Sequence, residues 1–372
     1  MNNKVRLIAF YLPQFHPFKE NDEWWGKGFT EWTNVGKAKP LFRGHNQPRV
    51  PTELGYYDLR LPEVREEQAQ LARDAGVTAF CYWHYWFGNG KTLIADIFDS
   101  VLESGKPDFP FCLGWANHSW YAKNWNSDGT STNKLLIEQT YPGLEDEKMH
   151  FAFFIKAFKD PRYVKVEGKP LLYIFAPYQV PQEYLDHLKQ WTKEAGFPGL
   201  YLVANKTDPH HTEEDAFNMG YDAVSYQRLG KGLPKGNTTW DKIKRQSYIR
   251  WRRVQGFFRH RPPFMEDYRR IYHYLINEHD ADERVIPCIL PQWDHTPRSG
   301  WNGSLLVHAE PKYFYKHVKE AFDVIRNKKP EHQILFLKSW NEWGEGNFME
   351  PDITYGRGFI EALRKAVDEE KE

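Results

Sequence analysis

The sequence predicts a (β/α)8 barrel, an α/β fold, with long loops after strands one and six lying over the face where the strands end. Three observations predict it. Short apolar runs recur eight times, most are followed by an amphipathic stretch with helical spacing, and no repeat or linker interrupts the 372 residues. A doubly wound sheet uses the same alternation and is the runner-up. The chain reads as one domain over 1–372, with loop insertions at about 13–60 and 227–263.

In chain order the strands fall at 5–12, 77–83, 111–115, 171–175, 200–204, 223–226, 285–290 and 334–340. Branched aliphatic and aromatic side chains fill them, as parallel strands buried on both faces require. The helices fall at 63–75, 92–102, 146–158, 181–195, 213–218, 264–277, 311–327 and 357–369. Pro62 and Pro181 suit a first helical turn, where a missing N–H is no loss, and Gly76 and Gly196 suit the exits. The stretches 13–60 and 227–263 lack this patterning. Each follows a strand, so in a barrel each sits over the C-terminal face, where long ordered loops are usually functional.

Hydrophobic content of 41% suffices for a large core, and no apolar run approaches the roughly 20 residues of a membrane span. Net charge is zero, which gives no global pull toward nucleic acid. Cys81, Cys112 and Cys288 lie in apolar runs without CxxC spacing, so buried reduced thiols are expected. The first strand begins almost at once without an apolar signal region, and the expected location is cytoplasmic. Aromatic residues make up 16% of the chain. Trp24, Trp25, Trp32, Trp120 and Trp125 lie in polar loops, where burial is a poor explanation. Sugars, with flat C–H faces ringed by hydroxyls, are bound by such aromatics beside Asp, Glu, Asn and His.

The strongest local signal is Leu-Lys-Ser-Trp-Asn-Glu-Trp-Gly-Glu-Gly at 337–346. Glu342 and Glu345 stand three residues apart just beyond the last strand, where barrel enzymes place their chemistry. Cleavage of a glycosidic bond uses two carboxyl groups in different protonation states. A second negative charge and apolar Trp neighbours would hold one of them protonated. The plainer reading makes the two acids the N-cap and first-turn residues of a following helix. Other strand ends share an aromatic-plus-polar composition: Tyr11 after strand one, Trp83 and His84 after strand two, Asn117 and His118 after strand three, Asn205 after strand five, Trp293 and Asp294 after strand seven, Asn341 and Trp343 after strand eight. In a barrel all of these would line one substrate pocket. No HExxH or comparable ligand spacing appears, and neither metal nor cofactor is predicted.

Several long strings resemble the WbsX-like family of glycosyltransferases, also described as glycoside-hydrolase-family-99-like. The carriers are Ala-Phe-Tyr-Leu-Pro-Gln-Phe-His at 9–16, Gly-Phe-Thr-Glu-Trp-Thr-Asn-Val at 28–35, Pro-Thr-Glu-Leu-Gly-Tyr-Tyr-Asp-Leu at 51–59, Phe-Cys-Tyr-Trp-His-Tyr-Trp-Phe at 80–87, and the string from Trp340 to Gly346. The resemblance covers nearly the whole length. It implies a (β/α)8 barrel, an oligo- or polysaccharide substrate, and a history in O-antigen and other surface-polysaccharide gene clusters. It adds Glu31, Trp32 and Glu350 to the substrate-binding set. In family 99 retaining endo-α-mannosidases, a similar Asn-Glu-Trp-x-Glu-Gly string carries both catalytic acids. By that likeness Glu342 would draw the proton from the sugar's 2-hydroxyl, giving a 1,2-anhydro intermediate, and Glu345 would act as acid and then base. Gly344 departs from the pattern, standing where family 99 usually has His. The expected activity is a retaining glycoside hydrolase, with a polysaccharide glycosyltransferase and a non-catalytic glycan-binding protein as alternatives.

One stretch stands apart electrostatically. Residues 228–270 hold nine Arg and four Lys against Asp241, Glu266 and Asp267. This is either a solvated, partly helical insertion or a surface for an anionic glycan or lipid-linked sugar.

Overall fold

The structure, a computed structural model, describes residues 5–125, 131–229 and 239–370. Eight parallel strands form its centre: β1 (Arg6–Tyr11), β2 (Ala79–Trp86), β3 (Phe111–Trp115), β4 (Lys169–Ile174), β5 (Tyr201–Asn205), β6 (Ala223–Tyr226), β7 (Val285–Ile289) and β8 (Ile334–Leu337). Each pairs with the next. The barrel then closes, with Arg6 of β1 opposite Ile334 of β8. The doubly wound alternative is thereby excluded, since it would leave two free edges.

The helices are α1 (Pro62–Ala75), α2 (Ala95–Ser104), α3 (Leu144–Phe158), α4 (Gln182–Glu194), α5 (Glu213–Asn218), α6 (Thr239–Arg259), α7 (Pro311–Ile325) and α8 (Gly358–Glu369), with shorter turns between them. Helix α1 begins at Pro62 and ends at Gly76, whose φ of 90° lies in the left-handed region that closes a helix without Cβ strain.

Two expectations are corrected. The helix expected at 264–277 is broken, because Met265–Asp267 pairs in parallel with Leu305–Val307 and leaves one helical turn at Tyr268–Ile271. Within the stretch read as irregular after strand six, 239–259 is the long helix α6, amphipathic but facing outward. Part of the first loop is also helical, at Lys19–Trp25 and Glu31–Lys37. Thr30 caps the second of these, accepting the Trp32 backbone N–H at 3.2 Å. After β3, a hairpin of Trp120–Trp125 and Ser131–Ile137 rises.

Period-two alternation decides which strand residues can reach the mouth. Phe10 stacks on Trp83 at 4.8 Å and on Phe336 at 5.0 Å, with Tyr173 edge-on at 4.9 Å, filling the barrel interior. On β2, Trp83 and Tyr85 therefore share the inner side, and Tyr82, His84 and Trp86 turn outward to the helices.

Candidate active site

After β8 the chain makes a small antiparallel hairpin, with Asn341 opposite Phe348 and Glu342 opposite Asn347. Its tip, Trp343–Glu345, is a single 3₁₀ turn closed by Gly346 at φ 55°. Three residues per turn stacks side chains i and i+3, so a Glu-x-x-Glu spacing brings its carboxyls onto one side. The Glu342 and Glu345 carboxyls lie within hydrogen-bond reach of each other. The turn is pinned to β7, because Asp294 N–H donates to the Glu345 carbonyl at 2.8 Å. Gly346 is obligatory here, since a Cβ would stand 2.6 Å from the Asp294 Cβ. Glu342 is the N-cap and Glu345 the last residue of this single turn, so the plainer reading holds for their positions, although a 3₁₀ turn stands in place of a helix and the Glu342 side chain makes no capping hydrogen bond.

The two carboxyls are electrostatically unequal. Burial works against ionising Glu345, yet Arg298, Lys338 and His295 hold it down to about 2. Arg298 Nη1 donates to its Oε1 at 2.7 Å, and His295 Nε2 is 3.7 Å from the same oxygen. Burial first, and then the charge of Glu345, pushes Glu342 up to about 7. Ser339 Oγ donates to Glu342 Oε2 at 3.2 Å. Lys338 Nζ lies 3.9 Å from Glu342 Oε2 and 3.9 Å from Glu345 Oε2, with its ammonium over the Trp293 ring at 5.3 Å. Between these two values the pair holds one proton, which rests on Glu342 and is lost as pH rises through about 7.

Glu31 joins this cluster through Arg298, whose Nη2 lies 3.0 Å from Glu31 Oε2. Arg298, Lys338, His295 and Tyr85 were not singled out from the sequence. Tyr85 is buried on the inner side of β2, and burial first and then the Glu342 charge raise its hydroxyl pKa. Period-two counting from Trp83 finds Tyr85. Arg298 follows β7 in a one-turn helix, Thr296–Ser299, and carries no pattern of its own.

Other residues expected to bind substrate make contacts within the scaffold. Tyr11 points outward to α1 and donates to Gln68 Oε1 at 2.7 Å. His84 also points outward, its Nε2 2.8 Å from His150 Nε2 on α3, and burial lowers its pKa to about 3. Both Asn117 amide atoms bond the Ala176 backbone, at 2.8 Å each, tying β3 to the end of β4. Asn341 spans the Leu12 N–H and carbonyl at 2.7 and 3.0 Å, tying β8 to β1. Asp294 accepts from His45, Gln47 and Thr296, locking the first loop onto the end of β7. Trp343 is buried and stacks on Phe348 at 3.7 Å, with Trp32 tilted against it at 5.4 Å. Asn205 Nδ2 donates to the Phe175 carbonyl at 2.9 Å, while its buried Oδ1 has no partner. Trp83 and His118 both lie against Phe175, at 5.8 and 4.9 Å.

Glu350 is likewise enclosed, accepting from Trp343 Nε1 at 2.6 Å, Gln68 Nε2 at 2.6 Å and Tyr57 OH at 2.9 Å. It is a positioning residue for the Trp343 turn. Burial raises its pKa to about 7, with those hydrogen bonds opposing. A carboxyl raised above its unfolded value of about 4.3 stabilises the fold fully at low pH, and that share is lost as pH rises through 7. The stability advantage of wild type over Glu350→Gln is therefore expected to shrink between about pH 5 and about pH 8, by on the order of 3 kcal/mol. Denaturation curves at the two pH values check this. A constant difference would contradict it.

The two carboxyls stand at the strand ends of a closed parallel barrel, where enzymes of this fold place their chemistry. The family described as glycosyltransferase WbsX matches residues 7–363, and the chain belongs to that family. It is 33% identical over 97% of its length to the uncharacterized protein WxcX of Xanthomonas campestris pv. campestris strain ATCC 33913, and equally to that of strain B100. The chain spans about half the length of these curated relatives, 49%. Among solved structures, a glycoside hydrolase family 99 endo-α-mannosidase from Bacteroides thetaiotaomicron superposes with a TM-score of 0.57, over 98% of this chain and 97% of that one at 16% identity. A glycoside hydrolase-like protein superposes equally well, at 0.57 over 98% and 94%. At this identity the likeness establishes the shared fold. No described helix is long and apolar enough to cross a membrane.

Proposed function

We propose that this protein is a retaining glycoside hydrolase of family 99 type, with Glu342 and Glu345 as its catalytic pair and an oligo- or polysaccharide as substrate. The observation that carries the reading is two largely buried carboxyls at the ends of the barrel strands, both near Lys338 and only Glu345 bound by Arg298, so that they are electrostatically unequal. Inverting enzymes hold their carboxyls about 6.5–9.5 Å apart to admit a water. A pair in mutual hydrogen-bond reach leaves no such room, which favours attack by the sugar's own 2-hydroxyl.

The resting protonation is the reverse of the roles that the family 99 likeness implies. The proposed cycle begins with transfer of the proton from Glu342 to Glu345 across their hydrogen bond. Glu345 then gives it to the leaving oxygen while Glu342 takes the proton of the 2-hydroxyl. The 2-oxygen bonds to the anomeric carbon as the glycosidic bond breaks, forming a 1,2-anhydro sugar and restoring the resting state. In the second half Glu345, as base, takes a proton from water, which opens the anhydro ring, and Glu342 returns its proton to the 2-oxygen.

The same double displacement with a sugar hydroxyl in place of water gives transfer, so a glycosyltransferase of surface-polysaccharide or O-antigen assembly is the second reading, favoured by the family's description. We assign the protein to the cytoplasm, supported by three buried, unpaired cysteines. An anionic glycan or lipid-linked sugar is the partner proposed for the basic stretch.

Digestion of an oligosaccharide library, read by proton NMR at first turnover, tests the reading. Retained anomeric configuration is expected, and inversion would refute it. On any substrate that is cleaved, kcat/KM is expected to fall as pH rises through about 7, where Glu342 loses the shared proton.

A further inference from the structure

Helix α6 is held along one side and left bare along the other. On the held side, Arg252 Nε donates to the Pro263 carbonyl at 2.8 Å and Nη2 to the Met265 carbonyl at 3.0 Å. Gly256 lies against the backbone of Arg261 and Pro263, so close that a Cβ would not fit. On the bare side, Trp240, Ile243, Trp251, Val254 and Phe258 recur at helical spacing within about 80° of arc. Trp240 is 70% exposed, Trp251 54% and Phe258 75%. Along the helix, seven Lys and Arg stand against one Asp, with Lys244 and Arg250 flanking the apolar stripe. The stripe is about 27 Å long, far more than the scattered apolar residues of an ordinary surface.

Its place in the fold is next to the site. Arg261, just past α6, sets its guanidinium over the Phe42 ring of the first loop at 5.7 Å. The strand Met265–Asp267 pairs with Leu305–Val307, and the neighbouring Ser304 carbonyl accepts from His295 N–H at 2.9 Å.

We infer that α6 is an interfacial helix that docks this protein on an anionic lipid bilayer. The apolar stripe enters the acyl boundary and the basic flanks meet the headgroup phosphates. The charge argues for this occupant over a second copy, because two such helices laid face to face would bring a net charge of +6 for each whole helix together, with Lys244 and Arg250 flanking each stripe. No described helix is long and apolar enough to cross a membrane, and α6 is read as lying along the surface. The loops that surround the carboxyl pair would then lie close to the lipid surface. The inference is independent of the glycosidic reading, because its test uses no turnover.

The test is sedimentation of the full chain with vesicles of phosphatidylcholine alone and of phosphatidylcholine with phosphatidylglycerol. Partitioning onto the anionic vesicles alone is expected, weakening with added salt. Trp251→Glu with Phe258→Glu, and separately Arg250→Glu with Arg253→Glu, should each lower partitioning at least about ten-fold. These side chains are on the surface, and unchanged circular dichroism confirms the fold. Wild type remaining in solution overturns the inference, as does partitioning that both double variants retain. A wild-type dimer in light scattering that Trp251→Glu with Phe258→Glu dissolves would assign the stripe to a second copy and also overturn it.

Discussion

Replacement of Glu342 or Glu345 by Gln is expected to lower kcat by about a hundred- to ten-thousand-fold while leaving the circular dichroism spectrum and KM little changed. Gln keeps the size and the hydrogen-bonding reach of Glu, so the 3₁₀ turn and the Asn341–Phe348 ladder have no reason to shift. What is lost is the ability to exchange a proton. In Glu342→Gln, the neighbour remains an anion clamped by Arg298 and no group holds the shared proton. In Glu345→Gln, the charge that raises Glu342 is gone and its pKa falls toward the ordinary carboxylate range. Because the two act as one unit, the double variant should be no worse than the poorer single variant. Initial rates on a cleaved oligosaccharide, with glycan binding measured alongside, distinguish an enzyme from a glycan-binding protein. Full turnover in both single variants would remove the catalytic pair from this site.

The barrel was legible because its evidence is redundant. Eight buried strands each carry a continuous apolar run, and an error of three residues at an end, as at β8, leaves the closure intact. The carboxyl pair was legible because it depends on local spacing alone. The residues around it were read less well, since a string such as Tyr-Trp-His-Tyr-Trp at 82–86 shows composition and hides direction. Alternation sends His84 to α3 and Tyr85 toward the carboxyls. Asn117 and Asn341 carry the polar character of binding residues, yet each spends both amide atoms on the backbone of a neighbouring strand end. Only three-dimensional proximity reveals such clamps. Arg298 escaped for the opposite reason. It is one arginine in a polar turn, and what sets it apart is the arrival of Glu31 from the first loop, 267 residues earlier. Helix α6 was read only as part of a solvated, partly helical insertion, because its apolar stripe is exposed and does not pack into the core.

Gly344 is where that distant arrival becomes testable. A Cβ at 344 would lie well inside contact of Glu31 Oε2 and 3.1 Å from Arg298 Nε. The space next to the turn is thus occupied by a carboxylate and a guanidinium from two other loops, and a larger residue can be admitted only by displacing them. Family 99 enzymes usually carry His at this position, and in this chain the Glu31–Arg298 pair takes that room. Gly344→Ala is therefore expected to fold, since the Glu31 carboxylate is the end of a flexible side chain, but to lose at least about ten-fold in kcat/KM as Arg298 is pushed off Glu345. Gly344→His should be more severe. Arg298→Met tests the same link through pH. Burial favours the neutral form of Glu345 and Arg298 is the first group opposing it, so without the guanidinium its pKa rises from about 2. A second proton then binds the pair at higher pH, and the one-proton window narrows from the acid side. The variant's kcat/KM should fall below about pH 5, in a range where wild type is still flat. Arg298→Lys should restore part of the acid range, because it returns the charge without the fork that spans Glu31 and Glu345 together. An acid limb unmoved by Arg298→Met would mean that Lys338 and His295 suffice to hold Glu345 ionised, and Gly344→Ala would then be expected to retain wild-type activity.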